Sequence, residues 1–331
     1  MNEIKLAIMG TGRWGINHVK TAFGLLDENL KIVCDINEKK KEEIESISKS
    51  IKFSTDIDSI LTDKEINTVI IATPAETHYD LAKKCLINNK HILVEKPITL
   101  LTEEAEELIE LASYHKKKLM VGHVLLYHPA IIKLKEMLND DKIGNVQYIY
   151  SNRLNLGSIR REENILWSFA PHDISIIQYL LESKPIKIDA HGASFLRSKI
   201  EDTTITYLHY PNNIHAHIFV SWLHPFKEHR LVVIGNKGMI VFEDSLPQNK
   251  LKYYPKGFIK INQQLTKFDG DFETIDFDNH PPLKEEQKHF FNCIINNDEP
   301  LTNGIHALEV LQILEEAQKG LYKFDIINLE M

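Results

Sequence analysis

The run Gly10-Thr11-Gly12-Arg13-Trp14-Gly15 follows directly on the apolar stretch Ile4-Lys5-Leu6-Ala7-Ile8-Met9, and an acid, Asp35, stands twenty positions beyond Gly15. Strand, glycine turn, helix, strand and acid in that order leave few folds open. They are the opening of a parallel βαβ unit that grips a dinucleotide. Gly10 permits the tight turn, Gly12 lets the backbone approach a pyrophosphate, and Gly15 lets the helix pack closely on the sheet. The helix N-terminus offers unpaired N–H groups and a partial positive charge to the phosphates. Asp35 can accept hydrogen bonds from both ribose hydroxyls and would repel a 2′-phosphate, which favours NAD over NADP. Lys39, Lys40 and Lys41, just beyond it, could tolerate NADP in part.

The alternation continues through about residue 123. Ile32-Val33-Cys34, Thr68-Val69-Ile70-Ile71-Ala72, Ile92-Leu93-Val94 and Leu119-Met120-Val121 read as buried strands. Between them lie helices over Lys39–Ser48, from a Thr77 cap to about Asn88, and over Thr102–His115. Continuous apolar runs separated by amphipathic helices predict a doubly wound parallel sheet, with ligands beyond the strand C-terminal ends. Those ends carry Gly10–Gly15, Asp35, Thr73-Pro74, Glu95-Lys96-Pro97 and Gly122-His123.

After about residue 124 the texture changes. Pro129–Asn139 reads as a helix, Val146–Leu156 as an alternating strand, and Trp167–Leu181 as a loop running into a helix. Several strands follow between Ile186 and about Tyr254, one hairpin turning at Gly235-Asn236-Lys237-Gly238. Residues 255–282 read as a long loop, and two helices follow near Glu285–Asn297 and Ile305–Tyr322. Strands in succession predict an α+β domain with an open, largely antiparallel sheet. The expected division is 1–123 and 124–331, with the C-terminal helix able to pack back on the first domain.

A chain of 331 residues is long for one domain, which agrees with that division. A net charge of −8 argues against nucleic acid as a partner, though a local Arg/Lys cluster can still hold an anion. No apolar stretch approaches the ~20 residues that cross a bilayer. The start, Met1-Asn2-Glu3-Ile4-Lys5, lacks a signal-peptide pattern. Cys34, Cys85 and Cys293 are odd in number and form no metal spacing, which points to a reduced, cytoplasmic setting. No HExxH or Asp/His cluster points to a metal. His91, His115 and His224 have no ligand-like partners in sequence.

Lys96 falls at a strand end, and Pro97 disfavours helical backbone for it, so it projects from the sheet edge. It is either a solvated lysine or a group that donates to, or takes a proton from, a substrate hydroxyl; a basic role needs burial or a cationic neighbour. His172-Asp173 precedes the apolar stripe Ile174, Ile177, Leu180, Leu181. His172 suits proton transfer near neutrality; alternatively Asp173 caps the helix and His172 packs beside it. Arg153, Arg160 and Arg161 flank Asn155 and Gly157, either as a solvated basic loop or as forks for phosphate or carboxylate. His78 is either a cofactor contact or a first-turn helix residue.

Together these residues resemble the Gfo/Idh/MocA oxidoreductase family over essentially the whole chain. The resemblance rests on the Gly10–Gly15 fingerprint, Ala72-Thr73-Pro74 with His78, Glu95-Lys96-Pro97, and His172-Asp173-Ile174. It implies a Rossmann domain, an open-sheet α+β domain and reversible hydride transfer between NAD(P) and a sugar or cyclitol. Lys96 matches the family's catalytic lysine and His172 its catalytic histidine. The resemblance also puts Thr11, Arg13, Trp14, Asp35, Thr73, Pro74, His78, Glu95, Lys96, Pro97, His123 and Trp167 with the glycines on the cofactor. It puts Tyr127, Arg153, Asn155, Arg160, Arg161 and Asp173 with the two catalytic groups on the substrate.

Two departures matter. Many members carry Asp four residues before the histidine, where this chain has Ser168, and many carry Asn-Arg after the sixth strand, where it has Gly122-His123-Val124-Leu125-Leu126-Tyr127. A Lys-His pairing without Asp is similar to members that oxidise C3 of nucleotide-linked amino sugars. The expected function is NAD-dependent oxidation of the C3 hydroxyl of a UDP-N-acetylhexosamine, or its uronate, for surface polysaccharide. The alternatives are a dehydrogenase of a free sugar or cyclitol, or a non-catalytic NAD-binding sensor. Family sheets often pair face to face, so a homodimer or homotetramer is expected, with no nucleic-acid, membrane or metal partner.

Overall fold

The structure is a computed structural model that describes residues 1, 3–157 and 163–321. In chain order it opens with β1 (Leu6–Met9), α1 (Gly15–Leu26), β2 (Leu30–Cys34), α2 (Lys41–Ile47), β3 (Lys52–Ser54) and α3 (Asp58–Leu61). Then come β4 (Thr68–Ile71), α4 (His78–Ile87), β5 (His91–Glu95), α5 (Thr102–Tyr114) and β6 (Leu119–Gly122). The middle holds α6 (Pro129–Asn139), β7 (Val146–Leu156), α7 (Ile165–Leu181), β8 (Lys187–Ala193), β9 (Thr203–Tyr210) and β10 (Ile214–Ser221). Next are β11 (Leu223–Gly235), β12 (Met239–Glu243), β13 (Leu251–Tyr254), β14 (Lys256–Ile261), β15 (Gln264–Asp269) and β16 (Glu273–Thr274). Two helices, α8 (Pro282–Asn296) and α9 (Gly304–Leu321), complete the described elements.

Contacts divide the chain into two units. One is Met1–Tyr127 with His280–Leu311; the other is His128–Asn279 with the part of α9 from Gln312 on. Segment 280–311, with α8 and the start of α9, thus belongs with the N-terminal unit.

The first unit is built on a six-stranded sheet of order β3-β2-β1-β4-β5-β6, parallel throughout. This is the doubly wound order, and it reverses between β1 and β4, where such sheets bind ligands. Every residue of β1, β4 and β6 is buried, which explains their unbroken apolar sequences. The second unit carries an eight-stranded sheet of order β16-β13-β12-β11-β7-β10-β9-β8. Only β7 and β10 pair in parallel; the other pairs are antiparallel. Helix α7 packs on β7, β9 and β10. In β9 the inward positions Thr204, Thr206, Leu208 and Tyr210 are buried, in step with the two-residue period of a strand.

Three local expectations are corrected. Residues 256–269 form the hairpin β14–β15, not a loop; its turn residues Asn262 and Gln263 have φ of 47° and 67°. Two left-handed residues make the tight turn that suits strand twist, but without glycine the signal is hard to read in sequence. The helix at His172 starts at Ile165, ahead of Pro171, because Asn164 Oδ1 caps it by accepting from Trp167 N at 3.2 Å. Asp173 therefore lies inside the helix and is not its cap; the burial of most of α7 makes an internal proline tolerable. Thr77 stands at the N-cap position of α4, but its side chain makes no capping bond: its hydroxyl donates to Pro74 O at 2.7 Å.

Candidate active site

The glycine turn lies at the switch point after β1. Gly10 has φ 89°, and its N–H donates to Cys34 O at 2.8 Å, which ties the turn to the end of β2. A Cβ on Gly15 would stand 2.2 Å from Gly10 O, so only glycine lets α1 start this close to the turn. A Cβ on Gly12 would meet nothing within 4 Å. Gly12, Arg13 and Trp14 are exposed, so the face a pyrophosphate would approach is open.

Asp35 closes this region. Its Oδ2 accepts from Thr11 N at 2.7 Å and Thr11 Oγ1 at 2.6 Å, and its Oδ1 accepts from Asn37 N at 2.9 Å. Burial pushes the carboxyl up, but the Thr11 and Asn37 bonds and the Lys40 charge outweigh it and hold the pKa below the ordinary carboxylate value. The group is therefore a fixed anion at neutral pH. Asp35→Ser is expected to raise the NADP-to-NAD ratio of kcat/KM by about tenfold or more, the effect of removing one close like charge. An unchanged ratio would contradict the role of Asp35 in cofactor choice.

His78 is 1% exposed, with Nδ1 at 2.7 Å from Pro97 O and Nε2 at 2.9 Å from Thr73 O. Burial lowers its pKa more than the two carbonyls raise it. Its ring lies between the loops after β4 and β5, and as a neutral imidazole it donates its single N–H to one of the two carbonyls. Lys96 is half-buried, next to a cis Pro97, and its backbone N–H donates to Glu95 Oε2 at 3.2 Å. Glu95 Oε1 also accepts from Trp14 Nε1 and from His18 Nε2, the latter at 2.7 Å. His123 is 2% exposed and packs edge-on against His306, the ring centres 5.4 Å apart. Burial pushes His123 well below the ordinary imidazole value, and the His306 and Lys96 charges act in the same direction. Tyr127 is buried, its hydroxyl 3.2 Å from Thr302 Oγ1, so its polar end is taken up inside the first unit.

In the second unit Ser151, Arg153 and Asn155 alternate along β7 and share a face. Arg153 binds Asp173 with a fork: Nε to Oδ2 at 2.8 Å and Nη2 to Oδ1 at 3.0 Å. Ser151 Oγ adds a third bond to Asp173 Oδ1 at 2.6 Å. This buried clamp fixes α7 on β7, and with it His172, the next residue. The same fork is then unavailable to a substrate anion. Across the sheet, burial pushes His229 down to about 4, with the Arg153 charge adding to the shift. Asn155 Oδ1 is buried and has no hydrogen-bond partner among the described residues. Trp167 Nε1 donates to Gln318 Oε1 at 3.0 Å. Arg160 and Arg161 lie outside the described residues.

Sequence reasoning missed His18, Ser151, His229, Glu286 and Gln287. Each matters through a partner far away in the chain, and no spacing links them. Among the described residues no group of three or more His, Cys, Asp or Glu is arranged to hold a metal, and no helix is long and apolar enough to cross a membrane.

A glycine turn at the switch point of a parallel sheet, with a fixed anion at the end of β2, defines a dinucleotide-binding α/β protein. The chain belongs to the Gfo/Idh/MocA oxidoreductase family: residues 4–123 match its NAD-binding Rossmann fold and residues 131–241 its C-terminal domain. It is an NAD-binding oxidoreductase. Scyllo-inositol 2-dehydrogenase (NAD(+)) of Bacillus subtilis is 27% identical over 328 residues, 94% of this chain and 92% of that protein. UDP-N-acetylglucosamine 3-dehydrogenase of Acidithiobacillus ferrooxidans is 27% identical over 205 residues, 62% of this chain and 63% of that protein. A solved structure of the latter enzyme shares the fold with a TM-score of 0.82 at 22% identity, covering 96% of this chain and 97% of that one.

Proposed function

We propose that the protein uses NAD to oxidise a secondary hydroxyl of a sugar or cyclitol, and that its substrate is a UDP-N-acetylhexosamine, or the uronic acid of one, oxidised at C3. The observation that carries the finer reading is Ser168. It is a buried hydroxyl inside α7 at the position where the family resemblance leads one to expect a carboxylate, which leaves Lys96 and His172 as the candidate proton-transfer groups. The likeness to UDP-N-acetylglucosamine 3-dehydrogenase adds support.

NAD, when bound, would supply the two-electron acceptor for the hydrogen on C3 and its electron pair. One of Lys96 and His172 takes the hydroxyl proton. The other donates a hydrogen bond to the oxygen as charge develops on it, which matters most in a site that excludes water. Asn155, with an open acceptor, is the candidate to read a sugar hydroxyl or amide. The product is a 3-keto sugar ready for amination, one route into amino sugars of surface polysaccharide.

One observation favours a second reading, a free sugar or cyclitol: the Nε–Nη2 edge of Arg153 is filled by Asp173, which leaves that edge unable to fork a diphosphate. A panel of UDP-N-acetylglucosamine, its uronate, scyllo-inositol and free aldoses, each with NAD, separates the two. Reduction of NAD with a nucleotide sugar at least about a hundredfold more efficient than with any free polyol is expected. Preference for a free polyol would replace the first reading with the second.

A further inference from the structure

Glu286 is the one fully buried acid whose two oxygens both lack a hydrogen-bond partner among the described residues. It lies on α8, far along the chain from the sheet, and the next residue of that helix, Gln287, reaches the His18 ring that bonds Glu95 at the end of β5. Glu95 is held in a built socket. Its carboxylate takes N–H groups from Trp14, His18 and Lys96, as described above. Gly122, its register partner on β6, makes room for it, since a Cβ there would stand 3.0 Å from Cδ and from both oxygens.

Helix α8 reaches the same socket through Gln287. The amide nitrogen of Gln287 lies 3.2 Å from the carbonyl of His18 and 3.0 Å from His18 Nδ1. A carbonyl only accepts, so the nitrogen faces it and Nδ1 is an acceptor. His18 is then the neutral tautomer with its proton on Nε2, which it donates to Glu95. The imidazole therefore brings no positive charge to the socket. Glu95 can be a carboxylate, because three donors solvate it. Glu286 has none, and an ionised carboxyl buried without donors is far costlier than its neutral acid.

We propose that Glu95 and Glu286 act as one carboxyl pair carrying a single negative charge, and that this charge sets the protein's relative affinity for oxidised and reduced cofactor. The inference rests on NAD binding alone and is independent of which hydroxyl is oxidised. The pair stands at the strand ends where the dinucleotide binds. An oxidised nicotinamide ring carries a positive charge and a reduced ring carries none, so a fixed anion there favours NAD⁺ over NADH. Two anions would hold NAD⁺ against NADH more strongly and would slow exchange of product for fresh cofactor. Keeping Glu286 protonated limits that bias.

Electrostatics agree with the geometry. Burial raises the Glu286 pKa well above the ordinary carboxyl value, and the Glu95 charge raises it further. The other group facing it is Tyr127, whose own pKa is pushed up by burial, with Glu286 adding to the shift, so it stays neutral in the range tested. On α8 itself Glu285 pairs with Lys288 at 2.9 Å, and His289 contacts Cys293 at 3.4 Å.

The test is the ratio Kd(NADH)/Kd(NAD⁺), titrated on the purified protein at pH 7 and at pH 9.5. In the wild type the ratio is expected to rise about tenfold wherever in this range Glu286 gives up its proton, as a second charge appears, and to stay level while the protonated-carboxyl band persists. In E286Q it is expected to change less than about twofold, and in E95Q to lie about tenfold lower at both pH values. Should E286Q fail to fold by thermal melting, E286M gives the same reading. The carbonyl stretch of a buried protonated carboxyl in the infrared spectrum of the wild type at pH 8 needs no variant at all. An equal rise of the ratio with pH in E286Q and the wild type, a pH 7 ratio in E286Q as low as in E95Q, or absence of the protonated-carboxyl band would each overturn the proposal.

Discussion

Lys96→Met is expected to lower kcat by about 10²- to 10⁴-fold while the Kd for NAD changes less than about threefold. Methionine keeps the length and apolar stem of lysine, so it removes the ammonium and little else. The backbone at Lys96 is fixed by groups the substitution leaves alone: its N–H is held by Glu95, and the Pro97 carbonyl lies against the His78 ring. A loss confined to kcat would mean that the ammonium acts on the reacting hydroxyl and not on cofactor capture. Near-wild-type turnover would remove Lys96 from the chemistry. An equal loss in NAD affinity would make it a cofactor ligand instead. Stopped-flow turnover and fluorescence titration of NAD on the same preparation make the distinction.

Asp173→Ala is expected to destabilise the protein by about 3–5 kcal/mol, because it strands a largely buried guanidinium and leaves the Ser151 hydroxyl without its acceptor. For a protein of this size that is a fall in Tm of roughly 4–7 °C. The carboxylate is 1% exposed and meets Arg153 through both oxygens, so no water can replace it. Removing both partners together, as Arg153→Met with Asp173→Leu, is expected to recover most of the Tm, since the cost lies in the unpaired charge more than in the lost pair. The double variant should still turn over slowly, because the clamp that fixes α7, and so His172, on β7 is gone. A single variant with unchanged Tm would show that the clamp is not a main anchor of α7. A double variant no more stable than the single one would show that the pair itself holds the helix.

The parts of the molecule legible in sequence are those whose signals are local. The buried strands of the first sheet announce themselves as unbroken apolar runs, and the turn after β1 does so through glycines that φ and close approach require. The hairpin β14–β15 was hidden because its left-handed turn uses Asn262 and Gln263. The start of α7 was hidden because Pro171 looks like a boundary, whereas the cap, Asn164, stands seven residues earlier. At the site, long-range pairing was invisible. Arg153 and Asp173 were each readable as polar candidates, but not as partners, and their pairing turns an anion-binding fork into a structural clamp. Tyr127 looked free to read a sugar until Thr302, 175 positions away, took up its hydroxyl. Glu286 and Gln287 are charged and polar residues in an ordinary amphipathic helix. Only folding puts them beside Glu95 and His18.

The most direct test of the proposed function is to supply UDP-N-acetylglucosamine, and separately its uronate, with deuterium at C3 and unlabelled NAD, and to examine the reduced cofactor by mass spectrometry. Oxidation at C3 predicts one deuterium in each reduced nicotinamide and a 3-keto sugar that a hydroxylamine probe traps. Reduced cofactor free of deuterium would place the oxidised carbon elsewhere on the sugar. No reduction with either nucleotide sugar, alongside reduction with scyllo-inositol or a free aldose, would contradict the nucleotide-sugar reading outright.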